Sequence, residues 1–293
     1  MKAYVFPGQG SQVIGMGEDL FEKYPKIVAI CDKVLGYSIV DLCLKDENNQ
    51  LGLTQFTQPA LYTVNAMYYY EKIKEGEKIC FVAGHSLGEY NALLAAGVFD
   101  FEMGLKLVKQ RGHLMSQAKG GGMAAVMDLE ENKIKQVIKE HYLEEKLFIA
   151  NYNSPTQIVI AGDKDSIDEA KQYFEEAGAR RYVILNVSGA FHSPLMEDAK
   201  NEFRKTIKEM EFHTPQIPVI ANRTAKPYCM KNMKETLSEQ MTSPVRWTDI
   251  ECYILGQSAE IEQVGPGNVL VGFLRQMIKA QKKKETCGRC EEL

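Results

Sequence analysis

A glycine, a serine and a glycine at alternate positions, set between an apolar run and a helix-forming run, leave this chain few ways to fold. Cys80-Phe81-Val82-Ala83 is short and apolar, as expected of a strand buried on both faces. Leu87 to Ala96 is rich in helix formers, and Gly97 is a suitable C-terminal cap. Gly84-His85-Ser86-Leu87-Gly88 joins them. The glycines let the backbone bend sharply, so the serine stands at the tip of the bend beyond the carboxyl edge of a sheet. The Leu87 amide then opens a helix N-terminus, where an amide and the helix dipole can stabilise an oxyanion. The bland reading, a strand-to-helix turn with an incidental serine, stays open on this stretch alone.

Composition removes several classes of function. A chain of 293 residues, 45% hydrophobic and 25% charged, suits a globular protein of one large domain, or one with a small insert. The net charge of −4 gives nucleic-acid binding no bulk electrostatic support. The N-terminus lacks the apolar core of a signal peptide and no run is long enough to span a bilayer, so no membrane association and a cytoplasmic location are expected. The seven cysteines are an odd number and mostly isolated, which reads as reduced thiols. Cys287-Gly-Arg-Cys290 is half of a zinc motif without its second half, so no metal site is expected.

Along the chain, Lys2 to Phe6 reads as a strand entering Pro7-Gly8-Gln9-Gly10-Ser11-Gln12. Val13 stands where a dinucleotide fingerprint needs its third glycine, and no Lys-Ser/Thr follows as in a P-loop. What remains is a tight loop exposing amides and glutamines, or a plain turn. Gly17 to Leu35 reads as one helical stretch, and Gln58-Pro59 as the start of another. On a helix from Phe101 to Ala118, Arg111 shares a stripe with Phe101, Leu105, Val108 and Met115. An inward arginine needs an anionic partner. It is either in a structural ion pair, or snorkelling, or aimed at a carboxylate ligand. After Gly120-Gly121-Gly122, residues 123–187 read as strand, helix, strand, strand, helix, strand, a ferredoxin-like order. His192 then lies in the loop before Ser193 and Pro194, which suit a helix start whose dipole disfavours an imidazolium. Further strands are expected at Pro218 to Ala221 and Glu260 to Val264. A helix is expected after Gln240-Met241-Thr242-Ser243-Pro244-Val245-Arg246-Trp247, and a last one to about Lys279.

Six motifs in one order then resemble the malonyl-CoA:acyl-carrier-protein transacylases. They are Phe6 to Gln12, Gly84 to Glu89, Gln110-Arg111-Gly112, Gly189-Ala190-Phe191-His192-Ser193, Pro244 to Trp247 and Val264-Gly265-Pro266-Gly267. Leu35 to Ile39, Thr57 to Tyr62 and Ala150 to Ser154 are most similar to the free-standing enzymes that serve modular polyketide synthases in trans. The resemblance implies an α/β fold: an α/β-hydrolase-like large subdomain (residues 1–122 and 188–280), an inserted ferredoxin-like small one (123–187) and a polar tail (281–293).

It also implies Ser86 as nucleophile, His192 as base, and Gln9 and the Leu87 amide as oxyanion hole. Arg111 would take the malonyl carboxylate, with Phe191 and His85 beside the substrate, and the Gln240 main-chain carbonyl would orient the histidine. The implied partners are malonyl-CoA and acyl carrier protein domains bearing phosphopantetheine, with no cofactor and a monomeric enzyme, in polyketide or fatty acid synthesis. A proofreading acyl hydrolase of the same fold would share Ser86 and His192 but use water as acceptor. A non-catalytic docking subunit would not need Ser86, His192 and Gln9.

Overall fold

The computed structural model describes the backbone of residues 1–288 and the side chains of residues 1–282. In chain order the early elements are β1 (Lys2–Phe6), α1 (Glu18–Phe21), α2 (Pro25–Leu35), α3 (Ile39–Leu44), α4 (Thr54–Lys72), β2 (Ile79–Gly84), α5 (Gly88–Ala95) and α6 (Phe101–Gln117). The middle of the chain forms β3 (Gly121–Met127), α7 (Glu131–Glu140), β4 (Leu147–Ser154), β5 (Gln157–Asp163), α8 (Lys164–Glu176) and β6 (Arg181–Ile184). It closes with α9 (Glu197–Glu209), β7 (Val219–Ile220), α10 (Met233–Glu239), α11 (Trp247–Gly256), β8 (Glu260–Gln263) and α12 (Val269–Gly288).

Two sheets organise these elements. The first runs β7-β2-β1-β8, with every pair parallel. Ala3, Tyr4, Val5 and Phe6 are all buried, as a central parallel strand covered on both faces must be. Phe6 pairs with Gly84, so the carboxyl ends of β1 and β2 lie side by side. The Pro7–Gln12 loop and the serine turn therefore leave the sheet at the same edge, where open parallel sheets form their ligand crevice.

The second sheet runs β4-β5-β3-β6 and is antiparallel throughout, the strand order of a ferredoxin-like unit. Its alternating side chains serve two cores. Ala124 and Val126 of β3 pack with Ile134, Ile138, Ile167 and Phe174 of α7 and α8. Met123 and Ala125 face the other way, into the core of the larger body. A sheet buried on both faces in this way holds the small unit firmly against the large one.

Several elements depart from the sequence expectation. The stretch 17–35 is two helices, because Pro25 has no N–H to continue the first and instead occupies the first turn of the second. Pro59 lies inside α4 rather than at its start. Burial of nearly the whole helix from Thr57 to Met67 outweighs the one backbone bond the proline removes. The sequence reading assigned nothing to α3 and α10, although the Ser38 side chain caps α3 by accepting from the Asp41 amide at 3.1 Å. Gly121 and Gly122 belong to β3, while Gly120, at φ +75°, makes the turn before it. β6 ends at Ile184 instead of running to Val187. α12 continues past Lys279 to Gly288, so the backbone of much of the segment expected as a polar tail is helical. The Cys287–Cys290 pair falls outside the side chains described.

Candidate active site

The serine turn is built by close approach. Ser86 itself carries the left-handed backbone, at φ +50°. The flanking glycines are needed for another reason: a Cβ on Gly84 would lie 1.9 Å from the Gly88 carbonyl, and one on Gly88 would lie 2.1 Å from the Phe6 carbonyl oxygen. His192 is also left-handed, at φ +59°. Non-glycine residues held in this region carry strain of about 1–3 kcal/mol each, and such strain clusters at functional sites. Asn222, following β7, holds the turn open: its Oδ1 accepts from the Ser86 amide at 2.7 Å, and its Nδ2 donates to the Gly84 carbonyl at 2.6 Å.

Tertiary structure brings His192 to Ser86 across the chain. Ser86 Oγ lies 2.7 Å from His192 Nε2, and His192 Nδ1 lies 2.8 Å from the Gln240 carbonyl oxygen. A carbonyl can only accept, so Nδ1 carries the proton and Nε2 is left to accept from the serine. His192 is 3% exposed. Burial, and then the positive charge of Arg111, push its pKa down to about 3, so the ring is neutral at physiological pH. The sequence argument invoked the helix dipole for this neutrality; desolvation dominates instead.

Arg111 is 1% exposed and makes no ion pair among the described residues, so it neither snorkels nor serves a structural salt bridge. Its partners are neutral oxygens: Nη1 donates to Gln58 Oε1 at 2.8 Å, and Nη2 donates to Gln240 Oε1 at 2.9 Å and to Ser86 Oγ at 3.0 Å. Nε has no partner and is sealed from solvent, and the guanidinium carbon lies 5.5 Å from the Tyr90 ring centroid. A cavity of about 120 Å³ is lined by Gln9, Ser86, Leu87, Arg111, Phe191 and His192, among others. The Leu87 amide stands just before α5, where no intrahelical acceptor exists. Gln9 Nε2 donates to Thr54 Oγ1 at 3.2 Å. Phe191 is buried. His85 borders the same cavity, but its Nε2 lies 2.8 Å from Asn153 Oδ1 of β4 and its ring packs on Trp247, so the imidazole is turned from Ser86. Burial lowers its pKa to about 4. His192 also borders a cleft of about 540 Å³ lined by residues of α7, β4 and the Thr242–Pro244 segment.

Sequence reasoning missed Gln58, Glu89, Asn222 and Tyr228. Gln58 and Glu89 lay inside motifs already quoted and Asn222 beside an expected strand, but Tyr228 gave no signal; each acts through a contact distant in sequence.

A serine on a strand-to-helix turn, bonded to a neutral histidine above the carboxyl edge of a parallel sheet, defines a class of α/β proteins that handle acyl groups on serine. The chain belongs to the acyl transferase domain family, whose profile matches residues 3–287. It is 51% identical over 95% of its length to the polyketide biosynthesis malonyl CoA-acyl carrier protein transacylase PksC of Bacillus subtilis, of which it covers 98%. The structure is similar to the crystal structure of malonyl CoA-acyl carrier protein transacylase from Burkholderia pseudomallei (TM-score 0.91, 46% identity, 95% of this chain and 98% of that one). It is also similar to a malonyl-transacylase in complex with a type II PKS acyl-carrier protein (TM-score 0.89, 35% identity, 94% and 93% covered).

Proposed function

We propose that this protein transfers a malonyl group from malonyl-CoA, through an ester on Ser86, to the phosphopantetheine thiol of an acyl carrier protein, acting in trans in polyketide synthesis. The observation that carries the reading is Arg111: a buried guanidinium beside the serine, held by amide oxygens and lacking any carboxylate partner among the described residues. A plain acyl group would bring no carboxylate for such a cation to meet. The names of the similar proteins and the solved carrier-protein complex support the same substrate and partner.

In this reading His192 Nε2 takes the Ser86 proton as Oγ attacks the thioester carbonyl, while the Gln240 carbonyl steadies the imidazolium that forms. The Leu87 amide and Gln9 receive the oxyanion, each donor being worth about 3 kcal/mol in comparable sites. The CoA sulfur leaves with the proton from His192. The carrier thiol then gives its proton to His192 and attacks the ester, in ping-pong order and without a cofactor. Arg111 pairs with the malonyl carboxylate through two N–H groups, which fixes both charge and orientation. Phe191 occupies space that an α-methyl branch would need, and His85 lines the same cavity. The units proposed for this work are residues 1–122 with 188–280, and 123–187, with the reacting groups at their junction.

Intact-mass spectrometry tests the proposal. Mixing with malonyl-CoA should add one malonyl group, holo carrier protein should remove it and gain it, and Ser86→Ala should abolish both steps. Transfer by Ser86→Ala at the parent rate would overturn the nucleophile. Loss of the adduct to water, with no malonyl on the carrier, would favour the hydrolase instead.

A further inference from the structure

Glu89 is wholly buried in the first turn of α5, and the mechanism above does not use it. Its Oε1 accepts from the Asn222 amide and from the Tyr228 hydroxyl, each at 2.8 Å. Its Oε2 accepts from Gln240 Nε2. The groups it grips are those that shape the site. Asn222 holds the backbone of the serine turn. Gln240 carries the carbonyl under His192, donates from Nε2 to the Ser86 carbonyl at 2.8 Å, and accepts from Arg111 at Oε1. The Gln240 side chain is therefore an amide bridge between a buried anion and a buried cation, its N–H end on Glu89 and its oxygen on Arg111.

We propose that Glu89 is a positioning residue that balances the charge of Arg111 through the Gln240 amide, so that the guanidinium needs no carboxylate of its own and stays available to a carboxylated acyl group. The inference rests on the malonyl reading above and deepens it. A bare cation in this interior would be strongly destabilising. A carboxylate placed directly on Arg111 would neutralise it but occupy the N–H groups that a substrate carboxylate needs. Setting the anion one amide away compensates the charge while leaving only a neutral amide oxygen, not a carboxylate, on the Nη2 bond that a substrate carboxylate would displace. It also fixes which end of Gln240 faces Arg111, since only Nε2 can donate to a carboxylate. Every group around Glu89 is a donor, which suits the ionised form; burial raises its pKa to about 7 against the pull of Asn222, Tyr228, Gln240 and Arg111.

The test compares acylation of Ser86 by malonyl-CoA and acetyl-CoA in the full-length protein. Glu89→Gln presents an N–H to Gln240 and favours turning that amide, so that its Nε2 faces Arg111. The malonyl-over-acetyl ratio of kcat/KM should then fall roughly ten- to hundredfold, the range expected when a hydrogen bond to a charged group is lost. Tyr228→Phe removes one donor and keeps the shape; it should move the ratio the same way by roughly two- to tenfold. The exchange Glu89→Gln with Gln240→Glu keeps the net charge but sets a carboxylate directly on Arg111. It should leave the KM for malonyl-CoA raised while the variant folds with a parent-like circular dichroism spectrum. If Glu89→Gln and Tyr228→Phe lower the melting temperature yet leave the ratio at the parent value, Glu89 is only a structural carboxylate. A double exchange with parent-like malonyl KM would overturn the separation of charges. If the parent itself takes no malonyl group, the malonyl reading fails first and this inference with it; a malonylated parent with an unchanged ratio in the variants sinks this inference alone.

Discussion

Arg111→Ala should convert a malonyl-selective site into one that no longer prefers malonyl. The perturbation removes a guanidinium that is 1% exposed and bonded to Gln58, Gln240 and Ser86. Loss of one partner from a desolvated, hydrogen-bonded ion pair costs about 2–5 kcal/mol. At 1.36 kcal/mol per tenfold, kcat/KM for malonyl-CoA should fall by roughly 30- to 5,000-fold. Acetyl-CoA has no carboxylate and loses only the effect of the 3.0 Å bond to Ser86 Oγ. The donor is a cation, so that bond is worth about 1.5–3 kcal/mol and acetyl transfer should fall by about 160-fold at most; malonyl transfer shares this loss, so the ratio still falls by the ion-pair factor. Removing the cation also relieves the charge that lowers the pKa of His192, which works in favour of the acetyl reaction. The unpaired oxygens left on Gln58 and Gln240 weaken the fold, but both thioesters meet the same protein and the ratio cancels that loss. The assay is the time course of Ser86 acylation by intact mass with each thioester, in parent, Arg111→Ala and Arg111→Lys. The lysine variant should fall between, keeping the charge but losing the planar fork. A malonyl-to-acetyl ratio unchanged within about threefold in Arg111→Ala would refute the argument, since no hydrogen-bonded ion pair is worth so little when desolvated.

Other substitutions test the remaining parts. His192→Ala should slow acylation by at least ~100-fold, read by stopped-flow release of CoA, because general base catalysis contributes 10²–10⁴; a larger loss in His85→Ala with the fold intact would reassign the base. His192 also predicts a pH dependence of stability. Its folded pKa of about 3 lies below the 6.5 of the unfolded chain. The unfolded state therefore binds more protons between those values, and the stabilisation present above pH 6.5 is lost as pH falls toward 3, by up to about 5 kcal/mol. Urea midpoints across this window should drop less steeply in His192→Gln, and equal slopes would count against the burial argument. Gly88→Ala sets a Cβ 2.1 Å from the Phe6 carbonyl oxygen. It should cost about 1–3 kcal/mol of stability and displace Ser86, whereas a variant with parent stability and activity would mean the turn is not close-packed.

The sequence by itself determined what local pattern can carry. The strand, Gly-x-Ser-x-Gly and helix of residues 80–97 are contiguous, so the turn and its serine were readable before any contact was known. The same holds for the ferredoxin-like order, whose strands and amphipathic helices each declare a period within a few residues. Local pattern also misled where tertiary burial outweighed it, at Pro59 inside α4, whereas the division of α1 from α2 follows from Pro25, a local signal that the single-helix reading passed over. Arg111 marks the limit most clearly. Its place on an apolar stripe said that it points inward, but an ion pair, a snorkelling chain and a carboxylate clamp all give that stripe. Only the folded chain decides among them, because the Arg111 environment is assembled from Gln58, from Ser86 and Tyr90, and from Gln240, on three separate segments. Glu89 was invisible for the same reason: its partners Asn222, Tyr228 and Gln240 lie more than a hundred residues along the chain. Hydrogen bonds and desolvation act over a few ångströms of space, and the side chains that meet within that range share no period that a linear pattern could reveal.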